Sequence, residues 1–282
     1  MINSETQLIA LIGHPVIHSK SPQMHNVMFE KLGLNYRYIA FDVKKEQLEQ
    51  AITGIKALNI RGLNVTIPHK VNVMRYLDEI SSEAKEIGAV NTIVNQNGIL
   101  IGYNTDGEGY VRSLIEETGV KLAGKMVLLL GAGGAARAIG VTLSKHSLKE
   151  IVIVNRDIEK AKELQRKLGK NIPSSVITTS QIKYFIDKID IIINTTSVGM
   201  YPNTGESLIK QEWISSNHII SDIVYNPIVT QLILDGHQKG AKIHSGLGMF
   251  VYQGVIAFEK WTGITPDPRI MRETVLDLLT IN

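Results

Sequence analysis

Lys70 and Asp106 stand in runs dense with small polar groups, and each is of a residue type that can hold or move a proton. Lys70 closes Asn64-Val65-Thr66-Ile67-Pro68-His69-Lys70, and Asp106 lies in Gly102-Tyr103-Asn104-Thr105-Asp106-Gly107. A strand ending at Pro68 presents the lysine at the head of a helix. There the positive end of the helix dipole and partial burial depress an amine's pKa toward a working value. The bland alternatives are a solvated lysine and an aspartate that closes an Asx turn. Another polar run is Gly88-Ala89-Val90-Asn91-Thr92. Further upstream, Ser19 and Ser21 fall at a loop-to-helix junction. Their hydroxyls and the neighbouring backbone N–H groups suit a carboxylate. Plain helix capping by Ser21 accounts for the same residues.

The run 126–137 carries a different chemistry. It reads Met-Val-Leu-Leu-Leu-Gly-Ala-Gly-Gly-Ala-Ala-Arg, an apolar strand that stops at glycine and leads into a helix former. Gly131, Gly133 and Ala136 fit the G-x-G-x-x-G/A spacing of a dinucleotide fingerprint. The first glycine allows the tight turn, the second lets backbone N–H groups approach a pyrophosphate, and the alanine permits close helix–strand packing. The phosphate then sits at the positive end of a helix.

The type of dinucleotide is written after the next strand, 151–154. NAD-binding units place an acid there for the ribose hydroxyls, but this chain has Asn155-Arg156-Asp157. Arg156 suits a bidentate clamp on a 2′-phosphate, and Lys160 adds a second positive charge. That favours NADP. Asp157 pulls toward NAD, because a carboxylate there repels phosphate, and Arg156 can also be read as a solvated loop charge.

Short apolar runs and helical patterns alternate around these residues. Strands are expected over 7–12, 36–43 and 62–67, with helices over 21–31, 45–58 and from Lys70 into Leu77. Such alternation implies a mainly parallel sheet. A second α/β unit begins near Lys125, with strands over 127–130, 150–154, 190–194 and 218–223 and a last one from Ile243. Its helices fall over 135–144 and 158–168, and helical patterns over 251–261 and 269–279 close the chain. The expected class is α/β. An N-terminal α/β substrate domain (1–105 with 245–282) accompanies a Rossmann-type doubly wound nucleotide-binding domain (106–244), and the C-terminal helices pack back on the first. Substrate is expected in the cleft between domains.

Bulk properties narrow the class. The 282 residues suit two domains at about 150 residues each. A net charge of +3 without a basic run argues against nucleic acid. No apolar stretch approaches the roughly 20 residues of a membrane span, and the N-terminus has no signal-peptide pattern. With no cysteine, disulfides, thiolate nucleophiles and cysteine-held zinc are excluded. The 8 histidines show no metal-ligand spacing. A cytoplasmic enzyme or binding protein, with no metal and no membrane or nucleic-acid partner, is expected. Whether it is a monomer or homodimer leaves no signature in the chain.

Taken together, the polar runs resemble the shikimate dehydrogenase family. Gly-x-Pro-Val-x-His-Ser-x-Ser-Pro (from Gly13), Asn-Val-Thr-x-Pro-x-Lys (from Asn64), Gly-Ala-Val-Asn-Thr (from Gly88) and Asn-Thr-Asp-Gly (from Asn104) occur in the family's order, with Gly-Ala-Gly-Gly-Ala-Ala and Asn-Arg after them. Asn194-Thr-Thr-Ser-Val-Gly-Met and Ser245-Gly-Leu-Gly-Met-Phe-Val-Tyr-Gln253 extend the match over nearly the whole chain.

The resemblance implies NADP-dependent, reversible reduction of 3-dehydroshikimate to shikimate, a step toward chorismate and the aromatic amino acids. It implies Lys70 and Asp106 as the catalytic pair and Ser19 and Ser21 on the substrate carboxylate, with Tyr225 nearby. Asn64, Thr66, Asn91 and Gln253 would bind ring hydroxyls. Gly131, Ala132, Gly133, Gly134 and Ala135 would cradle the pyrophosphate. Asn155, Arg156, Asp157 and Lys160 would surround the adenosine ribose. Thr195, Ile223 and Gly246 would complete the cofactor site, the last two through backbone groups. One departure stands out: NADP-using members usually carry threonine or serine where this chain has Asp157. The rivals are an NAD-preferring quinate/shikimate dehydrogenase and a non-catalytic nucleotide-sensing regulator on the same fold. The serine pair and the Lys70–Asp106 spacing argue against a methylenetetrahydrofolate dehydrogenase.

Overall fold

Strand β1 (Gln7–Gly13) buries every side chain from Ile9 to Ile12, which a central strand covered on both faces requires. The computed structural model describes residues 2–169 and 171–280. They form two compact units, Met1–Thr105 with Gln253–Asn282, and Asp106–Tyr252.

In the first unit, β1 leads to α1 (Ser21–Lys31), which has Pro22 in its first turn and Lys31 in its last, as the helix dipole and proline's missing N–H favour. Next come β2 (Tyr36–Asp42) and α2 (Leu48–Ala57), whose Leu48, Ile52 and Ile55 make one buried stripe. Strand β3 (Gly62–Val65) follows, then the short β4 (Glu79–Ile80). Helix α3 (Ser82–Ile87) is capped by Ser81, whose hydroxyl accepts the Ala84 N–H at 3.2 Å, and ends at left-handed Gly88. Strands β5 (Thr92–Gln96) and β6 (Ile99–Tyr103) form a hairpin.

The sheet order is β2-β1-β3-β5-β6-β4. Three of its five pairings are parallel, as expected, but β5 runs antiparallel to both β3 and β6 and makes the sheet mixed. The β5–β6 pairing follows from the turn at Asn97-Gly98, where both residues have positive φ, 53° and 91°. A two-residue turn of this kind can join only antiparallel neighbours. A second correction concerns Lys70. It heads no α-helix, since the segment after it is a short 3-10 turn, Asn72–Tyr76.

The second unit opens with α4 (Asp106–Thr118) and alternates β7 (Met126–Leu130), α5 (Gly134–Leu143), β8 (Glu150–Val154), α6 (Ile158–Leu168) and β9 (Ser174–Ile177). Then follow β10 (Ile191–Asn194), β11 (Ile219–Asp222), α7 (Gln231–Gln238) and β12 (Lys242–His244). Strand β9 and helices α4 and α7 add to the elements expected from the sequence. Every pairing is parallel, in the order β12-β11-β10-β7-β8-β9. The strand order reverses beside β7, the switch point at which doubly wound sheets bind ligands. Leu128, Leu130, Val152, Val154, Ile192 and Ile220 fill one face of this sheet.

Helix α8 (Gly246–Thr262) begins earlier than the expected 251, and the chain leaves the second unit within it, after Tyr252. In the first unit, Trp261 is fully buried and its indole N–H donates to the Ile93 carbonyl at 3.0 Å. Gly62 permits that approach, since a Cβ there would lie 2.4 Å from the indole. Helix α9 (Pro268–Thr280) packs on α1.

Candidate active site

In the first unit the polar runs meet at one edge of the sheet, where β1 and β3 end, β5 begins and β6 ends. Asn64, at the end of β3, is buried and has a partner for each part of its carboxamide. Its Nδ2 donates to the Asn91 carbonyl at 3.2 Å and to Thr92 Oγ1 at 3.1 Å, and its Oδ1 accepts the Tyr38 hydroxyl at 2.8 Å. Asn91 is held in turn. Its Oδ1 accepts the Thr105 N–H at 2.8 Å and the Thr92 hydroxyl at 3.1 Å, while its Nδ2 donates to Thr105 Oγ1 at 3.0 Å. Thr66 and Lys70 are half-buried on the segment after β3. The Lys70 carbonyl accepts the Val90 N–H at 2.8 Å, which ties this segment to the one before Asn91.

Ser21 is not the cap of α1. The cap position is Lys20, without a side-chain hydrogen bond. The buried Ser21 hydroxyl instead reaches the Tyr38 phenol, and the Ser21 N–H donates to Ser19 Oγ at 3.3 Å. Burial pushes the Tyr38 phenol far above the usual tyrosine range. Its ring stacks on His25 at 4.7 Å. His25 is wholly buried, neither ring nitrogen has a hydrogen-bond partner, and desolvation drives its pKa down to about 3. It is therefore a neutral aromatic filler among Phe29, Phe258 and Trp261. Gln253, half-buried in α8, belongs to this unit too.

In the second unit, Asp106 is buried at the first turn of α4, where an ionised carboxylate suits the helix dipole. Gly131 closes β7 with φ +111°, and a Cβ there would lie 2.6 Å from Thr195 Oγ1. That hydroxyl donates to the Leu130 carbonyl at 2.6 Å. Gly133 is the N-cap of α5 without a side-chain cap, and space around Gly133 and Gly134 is open to 4 Å. Uncapped first-turn N–H groups facing open space fit an anion such as a pyrophosphate. Ala132 and Ala135 line the same turn, while Ala136 is fully buried.

Asn155, Arg156 and Asp157 follow β8, and Arg156 is exposed. Asn155 Nδ2 donates to the Asp157 carbonyl at 2.8 Å. Ile223 follows β11, and a Cβ on Gly246 would lie 2.3 Å from its carbonyl. Beside them, buried Asp222 accepts from Thr230 Oγ1 at 2.7 Å, the Val224 N–H at 2.9 Å and Asn194 Nδ2 at 3.0 Å. Desolvation outweighs these bonds and raises its pKa to about 6. Tyr225 packs on Phe250 at 5.0 Å, and burial raises its pKa. His244 is structural: Ser221 Oγ lies 2.8 Å from Nδ1 and Ser113 Oγ 2.9 Å from Nε2. Among the described residues no His, Asp or Glu group is arranged to hold a metal. None of the described helices is long and apolar enough to cross a membrane.

Three family descriptions match along the chain. Residues 11–93 match the shikimate dehydrogenase substrate binding domain, 113–223 shikimate/quinate 5-dehydrogenase, and 246–276 the shikimate 5′-dehydrogenase C-terminal domain. The chain belongs to the shikimate dehydrogenase family.

Among its relatives is a shikimate dehydrogenase (NADP+) of Methanococcus maripaludis, 48% identical over 98% of this chain and 99% of its own. A crystal structure of a shikimate dehydrogenase in complex with NADP+ superposes with a TM-score of 0.92 at 45% identity, covering 99% of this chain and 98% of that one. The Listeria monocytogenes shikimate 5-dehydrogenase, in complex with shikimate and NAD, gives 0.93 at 38% identity, covering 97% and 98%.

Set beside the shikimate dehydrogenase motifs, Thr92 and Thr105 are partners of Asn64 and Asn91 that were not expected as site residues, although both sit inside the polar runs. Asp222, an acid closing a strand, offered a comparable signal. Tyr38 lies in Tyr36-Arg37-Tyr38 and carries no local mark of its role.

Proposed function

We propose that this chain is an NADP-dependent oxidoreductase that interconverts 3-dehydroshikimate and shikimate. The observation that carries the reading is the convergence of Ser21, Asn64 and Asn91 on one buried hydrogen-bonded network at the edge of the first sheet. The names and complexes of the relatives support the same substrate and cofactor.

When bound, the nicotinamide supplies or takes up the hydride at the secondary alcohol carbon. The chain's own residues do the rest. Lys70 carries the proton, giving it to the carbonyl oxygen in reduction and taking it from the hydroxyl in oxidation. Asp106 is the carboxylate that shares its charge. Ser19 and Ser21 hold the substrate carboxylate, with Tyr225 nearby, while Asn64, Thr66, Asn91 and Gln253 read the ring hydroxyls. Gly131, Gly133, Gly134 and the alanines between and after them receive the pyrophosphate. Asn155, Arg156 and Lys160 meet the adenosine ribose, and Thr195, Ile223 and Gly246 border the rest of the cofactor. This reading assigns a cytoplasmic enzyme of aromatic amino-acid biosynthesis, working as a monomer or homodimer with residues 106–244 as the nucleotide domain.

Purified protein given shikimate and NADP+ is expected to form NADPH, and 3-dehydroshikimate to consume it. A second reading, an NAD-preferring quinate/shikimate dehydrogenase, draws on Asp157 and on the NAD-bound Listeria relative. Kinetics with both cofactors on shikimate and quinate decide between them. A preference for NAD above about 10-fold overturns the NADP assignment.

A further inference from the structure

Tyr38 comes from β2 and Asn64 from β3, and the two are not neighbours in the sheet, because β1 lies between them. Their side chains nevertheless meet at 2.8 Å. The direction of this bond follows from the other end of the amide. The Asn91 main-chain carbonyl can only accept, so the Asn64 nitrogen must face it and the oxygen must face the phenol. The phenol is therefore the donor. Both hydrogens on Asn64 Nδ2 have acceptors, the Asn91 carbonyl and Thr92 Oγ1. What the carboxamide retains is one oxygen lone pair.

We infer that Tyr38 is a positioning residue that sets substrate specificity. By donating to Asn64 Oδ1 it holds the oxygen end of an amide whose two Nδ2 hydrogens are already taken by the Asn91 carbonyl and Thr92 Oγ1, so that Asn64 meets a ligand only as a hydrogen-bond acceptor. The substrate position read by Asn64 must then be a hydroxyl that donates, and a carbonyl or ether oxygen there is refused. This rests on the reading of Asn64 as a substrate residue. The His25 stack at 4.7 Å and the burial of Tyr38 at 2% exposure hold the phenol in place. Because the phenol proton goes to Asn64, the Ser21 hydroxyl is the donor on the same phenol oxygen and turns from it to meet a carboxylate. The phenol hydroxyl thus joins a residue proposed for the carboxylate to one proposed for a ring hydroxyl. Without it, the amide keeps only the two bonds at its nitrogen end, and its oxygen loses the donor that fixes where the remaining lone pair is offered.

The test is a double-mutant cycle with Tyr38→Phe, which removes the hydroxyl and keeps the stacked ring, and Asn64→Ala. Tyr38→Phe is expected to raise KM for shikimate about 10-fold, the scale of one lost hydrogen bond in a buried site. Its kcat and its KM for NADP+ should stay within about twofold of the parent, well inside that tenfold scale. In the Asn64→Ala background the Tyr38→Phe effect on KM should vanish. Thr92→Val, which frees the amide from its other side, should raise KM for shikimate in the same manner and gives a second route should Tyr38→Phe not fold. If Asn64→Ala leaves KM for shikimate unchanged, the substrate role of Asn64 itself is wrong. If Asn64→Ala raises KM but Tyr38→Phe and Thr92→Val do not, or their effects multiply with that of Asn64→Ala, the positioning role is overturned. A loss of kcat and a raised KM for NADP+ alongside would mark a merely structural tyrosine and overturn it equally.

Discussion

Asp157 and Lys160 hold one another at the start of α6. Asp157 Oδ1 accepts the Lys160 backbone N–H at 3.2 Å, and its Oδ2 stands 3.6 Å from Lys160 Nζ. A second bond, from the Glu159 N–H at 3.1 Å, completes an N-cap. The residue that departs from the usual threonine or serine of NADP-using relatives thus does what those residues also do well, because all of them are good N-caps. Its charge is spent on the helix end and on a lysine, which lowers its objection to a 2′-phosphate.

Arg156→Ala should therefore reduce kcat/KM for NADP+ by roughly 10- to 100-fold, the loss of a charge-assisted contact, and leave kcat/KM for NAD+ nearly unchanged. Asp157→Ser, which keeps a cap, should raise the NADP+ to NAD+ ratio modestly. Steady-state kinetics with each cofactor read both effects. Equal losses with the two cofactors would remove Arg156 from the 2′-phosphate.

Lys70→Ala should lower kcat by about 10²- to 10⁴-fold, the usual worth of a positioned general acid–base group, with KM for shikimate nearly constant. Turnover that survives the change would mean another proton carrier. The assignment does not need a helix dipole, since the segment after Lys70 is only a 3-10 turn.

His25 makes a pH prediction. Its pKa is about 3 in the fold against 6.5 when free. As pH falls, the unfolded chain takes up this proton first. The group's contribution to stability is therefore intact above pH 6.5 and is lost as pH falls toward 3, with a slope of at most about 1.4 kcal/mol per pH unit. His25→Leu should flatten that acid limb, so that the difference in melting temperature between pH 8 and pH 5 (about 3 units, chosen to span the unfolded-state pKa) narrows. Melting curves that shift equally at both pH values would show that His25 takes up its proton as readily in the fold as in the unfolded chain.

Gly131→Ala places a Cβ 2.6 Å from Thr195 Oγ1 at a φ of +111°. A cost of about 1–3 kcal/mol should lower the melting temperature by roughly 2–12 °C. KM for NADP+ should rise with it, whereas shikimate binding, followed by calorimetry without cofactor, should change little. An unaltered KM for NADP+ would separate this turn from the cofactor.

Residues close in sequence were legible without coordinates. An apolar strand, glycines and an alanine-rich helix former are neighbours along the chain, so the turn at 131–136 follows from local conformational preference. The Rossmann class and Lys70, Asp106, Ser21, Asn64 and Asn91 as candidates were likewise readable from short runs. The β5–β6 hairpin was not among the expected elements although Asn97-Gly98 is a local signal for one, and its effect on the sheet depends on which strand lies beside it. Tertiary structure alone decided how the polar groups are spent. Ser21 reaches a phenol instead of capping a helix, because β2 brings Tyr38 to it. The Asn64 carboxamide faces inward oxygen toward Tyr38, because a main-chain carbonyl from another segment occupies its other side. A motif specifies which hydrogen-bonding groups exist. Only the packed chain specifies which of them already have partners, and so what each can still offer a substrate.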